Sequence, residues 1–289
     1  MADVAVRGAA LHTRRVGADR PEARHCPVIV FLHDSLGCDT VWRDFPDRLS
    51  ATLGCDALVY DRRGYGKSVA FASEPRRPDY LEREAAALVA LLDACQVDSA
   101  VLFGHSDGGS IALLAAALAP TRIAAVVTEG AHVFVEERTL DGIRAVREQL
   151  RTTDLRERLV RHHGDKTDAV TAVWIDTWLS PAFRDWNIES HLSAVRCPVL
   201  VLQGEDDEFG TVAQVQGIAD GVSGRSASHL IPGAAHTPHR EAPETTVALT
   251  TAFLQREVPG LATRPKQGAE QGVAGTGLNK SRNVDILPA

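Results

Sequence analysis

Ser106 stands in Gly104-His105-Ser106-Asp107-Gly108, the pattern Gly-x-Ser-x-Gly. In this pattern a serine sits on a sharp turn between a strand and a helix. Gly104 and Gly108 supply the missing side chains where larger neighbours would clash. A serine hydroxyl is a weak nucleophile at neutral pH and needs a base within hydrogen-bond reach. An imidazole titrates near the working pH, so a histidine can take that proton and return it to a leaving group. A carboxylate on the other ring nitrogen fixes the tautomer and stabilises the imidazolium. Charge that develops on a substrate oxygen needs fixed donors, which backbone N–H groups at a helix start can give. The chemistry predicted for Ser106 is therefore acyl transfer. The bland alternative, a glycine-rich turn, fits less well because an apolar run precedes the motif and an Ala-rich run follows it.

Candidates for the acid and the base follow two later apolar runs. Gly204-Glu205-Asp206-Asp207-Glu208 comes after a run ending at Gln203. Pro232-Gly233-Ala234-Ala235-His236 comes after a run ending near Ile231. On residue type alone Asp206, Asp207 and Glu208 all qualify, and Glu129 is a further possible acid. His239 competes with His236, but is read as starting the last helix or lining the surface. His105 either positions substrate or packs. His132 either lines the pocket or sits at a hinge. His162-His163 with Asp165 lacks a second ligand cluster, so the charged end of a helix is the better reading than a metal site. The tryptophans Trp174 and Trp178, four apart on one helix face, form either a substrate wall or ordinary core.

These residues need a frame. Residues 27–32, 56–60, 100–103, 123–128, 198–203 and 228–231 read as strands, and several are continuous apolar runs of the kind buried on both faces of a parallel sheet. Residues 4–16 suggest an antiparallel hairpin at the sheet edge. Helical spacing covers 41–53, 80–95, 110–118, 211–220 and 243–255. Strand–helix alternation implies an α/β fold: a mostly parallel sheet with helices on both faces. Chemistry in such sheets sits at the carboxyl ends of the strands. The alternation stops between 131 and 192, where four helical stretches fit (140–151, 155–163, 167–179 and 181–191). That block reads as a helical lid over a core made of 1–130 and 193–258, and 259–289 as a disordered tail.

Composition narrows the function classes. The chain has 289 residues, 44% hydrophobic and 24% charged, with a net charge of −7. Its basic residues are scattered, so neither nucleic acid nor a membrane is expected as partner. The five cysteines, Cys26, Cys38, Cys55, Cys95 and Cys197, have neither metal spacing nor a disulfide ladder. Reduced thiols and a cytoplasmic setting are expected. No secretory signal or membrane span is expected either. The expected partner is a small-molecule substrate, without cofactor or metal. Oligomeric state is not legible.

Four motifs in this order resemble the α/β-hydrolase superfamily: His33 with its loop, Asp61-Arg62-Arg63-Gly64-Tyr65-Gly66-Lys67-Ser68, the serine turn, and the late acid and histidine loops. The resemblance runs from about residue 4 to 255 and is strongest to the lidded ester, lactone and carbon–carbon bond hydrolases. It implies the α/β-hydrolase fold and a triad of Ser106, Asp207 and His236, since Gly204-x-x-Asp207 has the family spacing. It implies an oxyanion hole made by the N–H of Asp107 and an N–H of the loop after His33. Where relatives read His-Gly, this chain has His33-Asp34. Without an inserted residue the donor is Ser35; with one it is Leu36, and the distance to Trp42 favours Ser35. His33, Trp174 and Trp178 are expected at the substrate. Arg62-Arg63 is expected to hold the fold together. A serine at the turn disfavours haloalkane dehalogenase and epoxide hydrolase, which carry an aspartate there. Hydrolysis of a small ester, lactone or thioester is the leading expectation. Carbon–carbon hydrolysis of a ring-cleavage product and a non-enzymatic ligand-binding role are the alternatives.

Overall fold

The apolar runs become the strands of one sheet in a computed structural model that describes residues 2–17, 26–72 and 76–261. In chain order the strands are β1 (Ala2–Val6), β2 (Ala9–Val16), β3 (Val28–Leu32), β4 (Ala57–Tyr60), β5 (Ala100–His105), β6 (Ile123–Glu129), β7 (Val199–Gly204) and β8 (Ser226–Ile231). Their spatial order is β1-β2-β4-β3-β5-β6-β7-β8. The β1–β2 hairpin and its join to β4 are antiparallel. From β4 to β8 every pairing is parallel. β5 lies near the middle, between β3 and β6, and all its residues are buried.

The helices are α1 (Phe45–Leu53), α2 (Tyr80–Ala94), α3 (Asp107–Leu118), α4 (Glu137–Thr152), α5 (Leu155–His163), α6 (Thr167–Trp178), α7 (Glu189–Leu192), α8 (Val212–Gly221), α9 (Pro238–Glu241) and α10 (Pro243–Glu257). One face of the sheet packs with Leu81 and Leu88 of α2, Ile111 and Leu114 of α3, and Ile218 of α8. The other packs with Phe45 and Leu49 of α1 and with Phe253 and Leu254 of α10. Burial on both faces explains why β3, β5 and β7 read as unbroken apolar runs rather than alternating ones.

Three expected elements differ. The helix expected over 41–53 is broken into a 3-10 turn at Asp39–Trp42 and α1. Arg43 between them has φ 54°, which no helix continues through, and Pro46 restarts the helix in its first turn, where a missing N–H costs nothing. The stretch expected over 181–191 is a 3-10 turn, Pro181–Phe183, followed by the short α7. Between them the chain runs alongside 133–134, through Ile188 N–H to Val133 O at 2.8 Å and a bridge from Phe134 to Asn187. The expected tail begins too early at 259: Leu261 is buried, with its N–H bonded to Val258 O at 3.1 Å. The rest of that expectation, 262–289, lies outside the described residues.

α4 to α7 form the block inserted between β6 and β7. Two histidines fasten it to the core loops. His162 Nδ1 meets Thr40 Oγ1 at 2.7 Å. His163 Nδ1 accepts from Gly66 N–H at 3.0 Å while its Nε2 donates to Leu36 O at 2.9 Å. The pair is thus a tie between layers rather than a metal site or a solvated helix end. All five cysteines are free thiols and four are buried. No helix among the described residues is long and apolar enough to cross a membrane.

Candidate active site

β5 delivers Ser106 to the carboxyl edge of the sheet, and α3 starts at the next residue. Ser106 itself has φ 54° and ψ −122°, a left-handed conformation that side chains rarely adopt. The strain is held in place by close backbone crossings. A Cβ on Gly104 would lie 2.2 Å from Gly108 O, and one on Gly108 would lie 2.0 Å from Leu32 O. Either addition forces the turn apart, which is why glycine is needed at both positions. The Asp107 N–H, first of α3, is one of the donors a helix leaves without an intrahelical acceptor.

The acid and the histidine come from the next two strand ends on one side of β6. After β7, Asp207 is buried, and its Oδ1 accepts from Phe209 N–H at 2.8 Å and Gly210 N–H at 3.2 Å. After β8, His236 donates from Nδ1 to the same Oδ1 at 2.9 Å, which leaves Nε2 as the acceptor nitrogen. Burial alone would lower His236, but the charge and hydrogen bond of Asp207 outweigh it and leave the imidazole raised above its ordinary 6.5. Burial would likewise raise Asp207, yet His236 and the Phe209 N–H bring it down to about 2. Asp206 is exposed, and Glu208 accepts from the His236 backbone N–H at 3.2 Å rather than from its ring. Of the three neighbouring acids, only Asp207 meets the imidazole.

Ser106, Asp107, Ser35 and His236 line one cavity of about 170 Å³. Its other walls include Trp174, Trp178, Ile143 and Val146 from the insertion, and Phe209. The Leu36 N–H is directed to Asp34 Oδ2 at 3.3 Å. The Ser35 N–H has no acceptor among the described residues. Of the two candidate donors in this loop, the Ser35 N–H is therefore the one left free among the described residues. Trp178 does more than line the wall: its Nε1 donates to Tyr80 OH at 2.8 Å, and that hydroxyl donates to Asp107 Oδ2 at 2.9 Å. The start of α3 is thus tied to α6 through Tyr80.

His33 does not line this cavity, against expectation. It is fully buried, with Nδ1 on Asp34 O at 2.7 Å and Nε2 accepting the Arg62 N–H at 3.0 Å. These two bonds make it a strut between its own loop and the one that carries Arg62. Arg62, also buried, donates to Asp34 O at 2.8 Å, the loop-holding role expected of it. His105 lines the cavity and donates from Nε2 to His236 O at 2.8 Å. Burial brings it down to about 4. His132 lines the cavity too, with Nε2 on Phe209 O at 3.1 Å. His239 is neither at the surface nor in α10. It lies in α9, buried, with Nδ1 on Glu129 Oε2 at 2.6 Å. Glu129 thereby serves His239 and not His236. His105, Glu129 and His239 could offer a metal three ligand atoms within 4.8 Å, but each already has a hydrogen-bond partner in the protein.

Sequence reasoning missed Asp34, Phe209, Ile143 and Val146 as cavity walls. Asp34 carried a signal, because it stands where the resemblance led to the expectation of a glycine; the apolar three carried none beyond hydrophobicity.

The mouse (Mus musculus) serine hydrolase BPHL is 33% identical over 265 residues, covering 88% of this chain and 86% of that protein. A solved N-acyl homoserine lactone degrading enzyme is 25% identical, with TM-score 0.65 over 87% of this chain and 99% of its own. The enol-lactonase from Burkholderia xenovorans shares the fold at 23% identity, with TM-score 0.67 over 87% of this chain and 99% of its own. The model of the alpha/beta hydrolase family matches residues 29–249. With an eight-stranded, mostly parallel sheet, a strained serine turn and this family match, the chain belongs to the alpha/beta hydrolases and is an enzyme of that family.

Proposed function

We propose that the protein hydrolyses a small ester, lactone or thioester through an acyl-enzyme on Ser106. The observation that carries this reading is the 2.9 Å contact between His236 Nδ1 and Asp207, with His236 and Ser106 on one cavity. Ser106 Oγ attacks the acyl carbon and its proton passes to His236 Nε2. The tetrahedral oxyanion is held by the N–H groups of Asp107 and Ser35. Collapse breaks the bond to the leaving group, which takes the proton from His236. A water then attacks the acyl carbon, giving its proton to His236. Release of the acid returns that proton to Ser106. The inserted helices act as the lid, because α4 and α6 supply the apolar wall.

Asp34, Asp107 and Glu208 line this cavity, and no lysine or arginine does among the described residues. A dienoate's carboxylate would have to lie beyond this wall, so carbon–carbon hydrolysis of a ring-cleavage product is the second reading, on the same residues. The test is labelling by a fluorophosphonate probe and turnover of p-nitrophenyl butyrate, with Ser106→Ala as the control. Labelling and turnover in the wild type and loss of both in the variant are expected. A wild type that never labels overturns the reading. A strong preference for a vinylogous diketo acid over the ester would transfer the same residues to carbon–carbon hydrolysis.

A further inference from the structure

A second cavity, of about 320 Å³, adjoins the first and shares Asp34, Leu36, His105 and Thr237 with it. Its character is opposite. Arg43, Arg158, Arg161 and Arg240 line it, with His162 among them. Arg158 is paired with Asp154. Arg43, Arg161 and Arg240 have no ion-pair partner among the described residues. They arrive from three separate segments: the turn before α1, the end of α5, and α9. That they converge shows at His162, which burial lowers first and the charges of Arg161, Arg240 and Arg43 lower further. Arg43 holds φ 54°, where a glycine would be less strained, so the turn adds a cation at some backbone cost. In a chain of net charge −7 this is a local reversal of sign. The one opposing carboxylate on the shared wall is Asp34, whose Oδ2 already accepts the Leu36 N–H.

The second cavity lies on the histidine side of the first. Thr237, next to His236, lines both, and His239 and Arg240 continue that wall. A leaving group must sit by His236 to take its proton. We infer that this arginine-lined cavity is a subsite for the leaving group, and that it takes an alcohol or thiol bearing an anionic group, carboxylate or phosphate. The acyl part then lies against the aromatic and aliphatic wall of the first cavity, where no cation is needed. The inference rests on acyl transfer at Ser106.

The test compares three butyrate esters of phenols: 4-carboxyphenyl, 4-phosphonooxyphenyl, and the neutral methyl ester of the first. Wild type and Arg161→Gln/Arg240→Gln are assayed at low ionic strength. The ratio of kcat/KM for an anionic ester to that for the neutral one should fall about tenfold in the double variant, equivalent to about 1.4 kcal/mol. The neutral ester should change less than about twofold, since its leaving group brings no charge for the two arginines to meet. A larger fall for one anionic ester than the other identifies carboxylate or phosphate as the group taken. Arg240→Glu should lower the ratio further. Ratios unchanged in both variants overturn the subsite while ester turnover keeps the hydrolase reading intact. If no ester is turned over, the hydrolase reading fails, and the cavity is tested by calorimetry with 4-hydroxybenzoate. Weaker binding to the double variant then supports the anion site, and equal binding overturns it.

Discussion

Two histidine–carboxylate pairs lie three residues apart in this chain and do different things. His236 and Asp207 meet at 2.9 Å, and His239 and Glu129 at 2.6 Å, each through Nδ1. Both carboxylates are held below their ordinary range, for burial pushes each up and its histidine's charge pushes it down further. What separates the pairs is the surroundings of the ring. His236 lines the cavity with Ser106. His239 packs beneath Trp42, ring centres 4.5 Å apart, and beside Phe45 at 5.5 Å. The first pair faces the cavity that holds Ser106; the second faces Trp42, Phe45 and the adjoining cavity instead, and fastens α9 to the end of β6. Residue type alone therefore does not assign a base. What separates the two rings is which one shares a cavity with Ser106.

The largest expected effect breaks the first pair at its working end. His236→Ala should lower kcat for p-nitrophenyl butyrate by about 10⁴-fold or more, with residual rate from backbone donors and binding. His239→Ala should leave far more activity and cost stability instead; measured kcat and Tm separate the two. Next come the acids. Asp207→Asn should cost about 10²- to 10⁴-fold in kcat with little change in Tm, because the amide keeps the shape but not the tautomer control. Glu129→Gln should reverse that pattern, with a Tm fall reflecting about 1–3 kcal/mol for a disturbed buried hydrogen bond and a modest kcat change. Equal kcat losses in the two variants would erase the distinction drawn here.

The pH profile sharpens the comparison at smaller amplitude. As the proposed base His236 must be neutral, and Asp207 raises its pKa above 6.5. So kcat/KM should rise with pH through an acid limb above 6.5, and Asp207→Asn should move that limb down. Glu129→Gln should leave it in place. The smallest effect is expected at Trp178→Phe, which removes the bond to Tyr80 OH but keeps the aromatic wall. A stability loss of about 1 kcal/mol is expected, read as a small fall in Tm.

The sheet was legible because its strands are buried on both faces and read as apolar runs, and Ser106 because two glycines frame it. Asp207 was singled out by family spacing, and the structure brings only that acid to His236. The insertion was legible as helical but its last helix was not, since the break between Phe183 and α7 comes with contacts to 133–134. His33 was misplaced because its position in the loop is plain from the chain, whereas its direction, inward to the Arg62 N–H, is not. His239 was misplaced for a related reason: its acid partner is 110 residues away.

By itself the sequence determined the family, the order of elements and the serine turn, because these depend on local spacing and on burial patterns written along the chain. Only the tertiary structure decided which of two histidines shares a cavity with Ser106, which acid meets its ring, and that an acidic cavity adjoins a cationic one. Those outcomes depend on side chains from distant segments meeting in space. Arg43, Arg161 and Arg240 are scattered charges in one dimension and one wall in three.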